Sequence, residues 1–412
     1  MKILFTAPRI AHPPKNGPEL RIENSLIGLG QVGELHVLSR CSYTSIGGEE
    51  AELFFKKHCF QFEYLPSVRP TCISLFIDRI INRLVGGRIY DIFYLLFIIN
   101  RDAKYIVKYA DNNCIRVIWF GFGNMSYTLM KRIKKIAPSL KLICDTDSVY
   151  SRFILRELPY VADEKRKLQI MKSGRKKELE EADWVKWCDI TTAVSETDAQ
   201  YYRNISSEAW RIRIFSNVIN IDSYKNRHIT PNGLKHPNMY LAGSFWPNSP
   251  MEQAARWVID KILPLVQQRY PNIHLYIIGN GATEILSDMI ASSFTIVGDV
   301  DSVLPYLTNA DVALVPLKYE SGTRFKILEA AACLVPIVST SLGAEGLPVL
   351  DKESILIADN ENEFAEAILR ILDDVEFGNK IAANCYKLIR QRYCIDSLIC
   401  EAKDIINVLQ IR

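Results

Sequence analysis

The chain has 412 residues, 48% hydrophobic and 24% charged, with a net charge of +3. That is the composition of a soluble globular protein of two or three domains, not of a disordered or fibrous one. The charge is uneven, +9 over residues 1–215 and −6 over the rest, which points toward an anionic substrate or lipid. It is too mild, and too poor in interleaved aromatics, for nucleic acid. The ten cysteines show neither CxxC nor metal spacing, as expected in a reducing cytosol. No run reaches the roughly 20 apolar residues of a membrane span. The first residues, MKILFTAP, are too short for a signal sequence and read as a strand.

Lys2–Ala7 is a continuous apolar strand, the pattern of a strand buried on both faces. A Pro-rich loop with Gly17 follows, then a helix over Leu20–Leu29. Gly17 allows close approach of a ligand to the backbone, or simply a turn. Strands are predicted at Glu34–Ser39, Phe60–Leu65, Arg116–Phe120, Lys141–Asp145 and Asp189–Val194. With helical patterns between them, they define a doubly wound, mostly parallel α/β domain.

Ile73–Val85 is amphipathic, suited to covering the sheet or to lying in a membrane interface. The cationic runs Lys131–Lys135 and Lys165–Lys177 keep a peripheral membrane contact open. Asp145 and Asp147 close a strand as D-x-D. Such a pair can hold a divalent metal, or Asp147 or Ser148 can cap the next helix. Ser195 and Asp198 resemble a capping box. Arg211–Ile221 is a last strand and turn, and Asn226–Asn238 is the linker candidate.

The pattern then restarts. Met239–Ala242 is a strand, Gly243-Ser244 a tight turn, and Met251–Gln268 a long helix. His274–Ile278 leads into Gly279-Asn280-Gly281, with further strands at Phe294–Val297, Asp311–Pro316 and Pro336–Thr340. Residues Tyr386–Gln410 read as helix. The expected division is 1–220, 221–385 and 386–412, the last packing back on the first domain.

Ser321–Gly346 is the most informative stretch. A helix predicted from Thr323 has Arg324 and Lys326 in its first turn and Glu329 one turn after Lys326. Cations oppose the macrodipole there unless an anion sits between them. The plain alternative is a Lys326–Glu329 surface salt bridge.

Several stretches occur in the order found in glycosyltransferases of the GT-B fold. They are AVSE (193–196), SNVI (216–219), LAGSF (241–245), IIGNG (277–281), GDVDSVLPYLTNADVALVPL (298–317) and ESGTRFKILEAAACLVPIVST (320–340). Here the chain resembles glycosyltransferase family 4. The resemblance implies two Rossmann-like domains facing across a cleft. It also implies retaining transfer of a sugar from a nucleotide-diphosphate-sugar to a glycan or lipid-linked acceptor, without a metal or other cofactor. Carried over by motif, Glu329 binds the ribose, Gly243 and Ser244 approach the diphosphate, and Gly279 and Gly281 line the nucleobase pocket. Gly322 and Thr323 complete the donor loop. Arg324 and Lys326 take the catalytic part, stabilising the leaving diphosphate. Asp145, Asp147 and Gly17 are acceptor-side candidates.

Two departures stand out. Gly322 occupies the place of the family's first glutamate, with Glu320 two residues out of register. The segment after the first strand of the second domain lacks the family's usual Arg and Lys. A non-catalytic nucleotide-sugar-binding or partner module, and a nucleotide-sugar epimerase, remain as alternatives. The expected location is cytoplasmic, or peripheral at the inner face of the membrane.

Overall fold

The computed structural model describes residues 1–68, 87–224 and 228–411. The predicted amphipathic segment Ile73–Val85 lies outside them, as do the first two residues of the predicted linker. The chain forms two compact units that are not contiguous in sequence. The first comprises Met1–Asp147, Arg175–Ser216 and Leu398–Arg412; the second comprises Ser148–Gly174 and Asn217–Ser397.

The first unit holds a seven-stranded sheet. Its strands are β1 (Lys2–Thr6), β2 (Glu34–Ser39), β3 (Gln61–Tyr64), β4 (Val117–Phe120), β5 (Lys141–Asp145), β6 (Ile190–Ala193) and β7 (Ile212–Ile214). The spatial order is β3-β2-β1-β4-β5-β6-β7, and every pairing is parallel. Ile3, Leu4, Phe5, Ile118, Trp119, Phe120, Leu142 and Ile143 are fully buried. Their unbroken apolar runs follow from a sheet covered on both faces.

The second unit holds β8 (Asn238–Ala242), β9 (His274–Ile278), β10 (Phe294–Gly298), β11 (Val312–Val315), β12 (Ile337–Ser339) and β13 (Leu356–Ile357). The order is β10-β9-β8-β11-β12-β13, again parallel. In each sheet the winding reverses beside the first strand, between β1 and β4 and between β8 and β11. Ligands of doubly wound sheets bind outside the strand ends at such switch points.

Local chemistry explains where the elements depart from their predicted bounds. The first helix starts at Gly17, three residues early, because the Asn16 side chain accepts from Glu19 N at 3.0 Å. The Glu19 carboxylate reaches back to Lys15 N at 2.8 Å, in the manner of a capping box. The long helix predicted over Met251–Gln268 is helical from Pro250 to Gln267, with a π-turn at Val258–Ile262. Pro264, which has no N–H to give the preceding turn, accounts for that irregularity. Ser195 caps Glu196–Ile205, accepting from Asp198 N at 3.2 Å. The predicted C-terminal helix is two helices, Val375–Arg392 and Ile395–Ile411, broken at Tyr393 and Cys394.

The unit boundaries differ from the division read from the sequence. Ser148–Gly174 goes with the second unit, since Arg156 and Tyr160 bind residues 318–345. The C-terminal stretch divides at 397/398 rather than starting at 386. Leu398–Arg412 belongs to the first unit, where Glu401 accepts from Ser216 N and Oγ, both at 2.7 Å.

The cationic runs are largely paired on the spot. Lys131 meets Asp183 and Lys134 meets Asp189, both at 2.8 Å. Arg175 and Lys177 each pair with a glutamate three residues on, the pattern of a solvated helix face. Among the described residues no helix is long and apolar enough to cross a membrane.

Candidate functional site

At the second unit's switch point the backbone comes first. Gly243 follows β8, and its N–H donates to Ile278 O at 3.0 Å. Gly279 follows β9 with φ +135°, and a Cβ there would lie 1.8 Å from Gly243 O. Only glycine permits that backbone angle and that contact together. Phe245 N bonds to Asn280 O at 2.8 Å, fastening the two loops further. Beside them opens a pocket of about 410 Å³ lined by Phe245, Trp246, Asn280, Gly281, Glu284 and Asp299. Thus Gly243, Gly279 and Gly281 are brought together, with Ser244 exposed at the same turn.

The neighbouring loop follows β11. Tyr319 donates to the carbonyl of Asn248, in the loop after β8. Gly322 has φ +82° and turns the chain back. Thr323 Oγ1 accepts from Asn217 Nδ2 at 2.8 Å, so the Asn of SNVI clamps the donor loop. Arg324 is only 4% exposed and donates through Nη1 to the carbonyls of Ser321, at 2.8 Å, and Gly322. Its guanidinium braces the loop that leads to it.

The helix runs Phe325–Ala332, two residues later than predicted, with Arg324 at the N-cap in extended conformation. The turn of Gly322 and the Asn217 clamp hold Thr323 out of the helix. Lys326 lies in the first turn, half-buried. The surface salt bridge expected as an alternative is absent, and among the described residues Lys326 has no carboxylate within ion-pair distance. Burial pushes its ammonium below the usual lysine range, opposed by the charges of Glu320 and Glu329 and helped by Arg324.

One turn on, Glu329 accepts from Tyr224 Oη at 3.1 Å. Burial pushes its carboxyl above the ordinary range; Tyr224 and Lys326 pull the other way. The arrangement is a desolvated cation at a helix N-terminus with a carboxylate one turn inside. It suits a ligand with phosphate at one end and hydroxyls at the other.

The acceptor-side candidates lie in the first unit and are not alike. Gly17 is the first residue of its helix, ahead of Pro18. Asp145 is fully buried, and its Oδ1 takes Arg21 Nη2 at 2.5 Å and Thr192 Oγ1 at 2.7 Å. Arg21 Nη2 also donates to the carbonyls of Thr146 and Phe215. Enclosed and ion-paired, Asp145 ties the first helix to β5 and β6. Asp147 is half-buried and accepts from Asn124 Nδ2 at 2.9 Å. Burial raises its carboxyl above the ordinary range, against the pull of Asn124 and Arg21. The next helix has Val149 at its N-cap, with no side-chain bond from that residue. Among the described residues no three His, Cys, Asp or Glu side chains stand close enough to hold a metal ion.

Tyr224, Asn217 and the Arg156–Glu345 pair were not anticipated from the sequence as parts of this site. Asn217 lies inside the SNVI stretch, which was its one signal; the others carry none.

The parallel sheets and their loops have the GT-B glycosyltransferase fold. Residues 236–374, all in the second unit, match the family Glycosyl transferases group 1. Sucrose-phosphate synthase from Thermosynechococcus elongatus is similar over 100% of both chains, with TM-score 0.69 and 15% identity. HepE of Anabaena, solved in complex with UDP, is similar over 100% of both chains, with TM-score 0.65 and 13% identity. An uncharacterized 44.6 kDa protein in the cps region of Klebsiella pneumoniae is 24% identical over 164 residues, 38% of this chain. The chain thus spans 42% of the length of that curated relative.

Proposed function

We propose that the chain is a retaining, metal-independent glycosyltransferase. It moves a hexosyl group from a nucleotide-diphosphate-sugar to the hydroxyl of a glycan or lipid-linked acceptor, in polysaccharide or glycolipid assembly. The observation that carries this reading is Lys326, a desolvated cation at a helix N-terminus that has, among the described residues, no ion-pair partner, one turn from Glu329. A partly desolvated charge without an ion-pair partner costs stability unless a ligand completes it. A diphosphate does so, and negative charge grows there as the sugar–phosphate bond breaks, so the cation lowers that barrier selectively. Glu329 is placed to accept ribose hydroxyls, and the pocket beside Gly281 is large enough for a nucleobase.

The UDP and UDP-glucose complexes of HepE support a nucleotide-sugar donor, and the relative from a cps region supports an envelope glycan as product. In the first unit Asp147 and Gly17 are the acceptor-side candidates that keep some exposure. A cytoplasmic chain, peripheral at the membrane, suits such an acceptor.

Thermal-shift measurement with UDP, GDP and their sugars tests the reading. At least one should raise the Tm, Lys326→Ala should abolish the rise, and EDTA should leave transfer unchanged. No rise with any nucleotide would sink the proposal. A rise without transfer to any acceptor extract would favour a non-catalytic binding module, in keeping with Gly322 where the family has a glutamate.

A further inference from the structure

One ion pair in the second unit has no part in the donor reading as it stands. Helix Tyr150–Leu155 ends at Arg156. The Arg156 guanidinium grips Glu345 through both oxygens, Nη1 to Oε2 at 2.6 Å and Nη2 to Oε1 at 2.8 Å. The same Nη1 donates to Glu320 O at 2.7 Å. Glu345 follows the short helix after β12, and Glu320 opens the donor loop after β11. A single side chain therefore spans the two loops that flank the N-terminus of Phe325–Ala332. Tyr160 extends the brace, donating to Lys318 O at 3.1 Å and stacking on Tyr319 at 5.5 Å between ring centres.

Glu345 has the wrong charge for a diphosphate site. Burial would raise its carboxyl; bonded Arg156, with Arg324 and Arg152 nearby, more than offsets this and holds it below the ordinary range. Both partners of the pair are about three-quarters covered, at 25% and 27% exposed. Bidentate pairing fixes a carboxylate's direction as well as its charge. Without Arg156, the remaining charges that act on Glu345 are those of Arg324 and Arg152, and Arg324 stands at the N-cap of Phe325–Ala332.

We propose that Arg156 is a positioning residue that holds the Glu345 carboxylate away from the N-terminus of Phe325–Ala332 and pins the Glu320 end of the donor loop. Lys326 then stays available to a diphosphate. This role rests on the donor reading above.

The test is calorimetric titration of the full-length chain with UDP and with GDP, using whichever binds tighter for the variants. Arg156→Ala should weaken binding about ten-fold, a typical loss for one charge-assisted contact. Glu345→Gln alone should bind at least as tightly as the wild type. The double variant Arg156→Ala/Glu345→Gln should recover most of the loss, because the stray carboxylate is gone. A purely structural brace predicts the opposite, a double variant as weak as Arg156→Ala. Should Arg156→Ala fail to fold by circular dichroism, Arg156→Lys with and without Glu345→Gln must show the same order. A lysine cannot grip both carboxylate oxygens and the carbonyl. Wild-type affinity in Arg156→Ala, or no recovery in the double variant, overturns the positioning role alone. If the wild type binds neither UDP nor GDP, the donor reading falls and this role with it.

Discussion

Each unit has a charged cluster at the ends of its parallel strands, and the two clusters are built to opposite ends. In the first, Arg21 and Asp145 are 2% and 0% exposed and lie 2.5 Å apart. Thr192 and two carbonyls add further hydrogen bonds. In the second, Lys326 is desolvated and, among the described residues, has no carboxylate within ion-pair distance, and Glu329 has Tyr224 as its hydrogen-bond partner. A buried charge with its counter-charge in place is architecture. A desolvated charge without one is a candidate ligand site. Sequence alone ranked both clusters as candidates, and burial and partners separate them.

The comparison breaks most visibly at Asp145. Asp145→Ala leaves Arg21 buried and uncompensated, which should cost about 3–5 kcal/mol of stability. Denaturant titration should show the first unit's transition moved to lower urea, with nucleotide affinity of the folded protein unchanged. Equal stability would place Asp145 outside the framework.

Lys326→Ala should do the reverse. Removing a desolvated, unpaired cation should leave the unfolding midpoint unchanged or raised. Transfer should fall by about 10²–10³-fold, the usual loss for one group that stabilises developing charge. Steady-state kinetics alongside thermal denaturation checks both halves.

Glu329→Gln should weaken nucleotide-sugar binding by roughly 1.5–3 kcal/mol, the range for hydrogen bonds to a charged group. It should also reshape the pH profile. The Glu329 carboxyl is raised, so on acidification it protonates earlier than an ordinary glutamate and loses its charge as an acceptor. The Lys326 ammonium is lowered, so on alkalinisation it loses its proton earlier than an ordinary lysine. Affinity for a nucleotide-sugar, whose diester phosphates do not titrate in this range, should therefore fall on both sides. The window should be narrower than free Glu and Lys would give, and Glu329→Gln should remove the acid limb. The effect on folding has the same origin. A raised carboxyl favours the folded state below its unfolded-state pKa, and that contribution is lost as pH rises through the folded value. An unmoved acid limb would assign it to another group.

The smallest effect is expected for Tyr224→Phe. It removes one hydrogen bond from Glu329, worth about 0.5–1.5 kcal/mol. A modest rise in donor KM with kcat nearly unchanged would fit a residue that orients Glu329 without touching the reacting atoms.

The strands were legible because their signal is local. Glu34–Ser39, Lys141–Asp145 and His274–Ile278 span the same residues as their apolar runs, since a strand covered on both faces writes itself as continuous hydrophobicity. The pairing of Lys326 with Glu329 on one helix face was legible for the same reason, a three-residue spacing on a helical period. Glycine positions around 243 and 279 also showed, although the contact between those two loops did not.

What only the tertiary structure decided lies at long separation. Tyr224 reaches Glu329 across 105 residues, Asn217 reaches Thr323 across 106, and Arg156 reaches Glu345 across 189. No local pattern encodes such a meeting, because sheet order and loop closure bring the partners together. The same holds for Asp145 and Lys326. Their residue types and places at element ends were plain in the sequence, and both read as functional. Which charge had been given a partner depended on Arg21, 124 residues away from Asp145, and on the lack, among the described residues, of a carboxylate within ion-pair distance of Lys326. Charge is a property of the residue, whereas its desolvation and compensation belong to the packed fold.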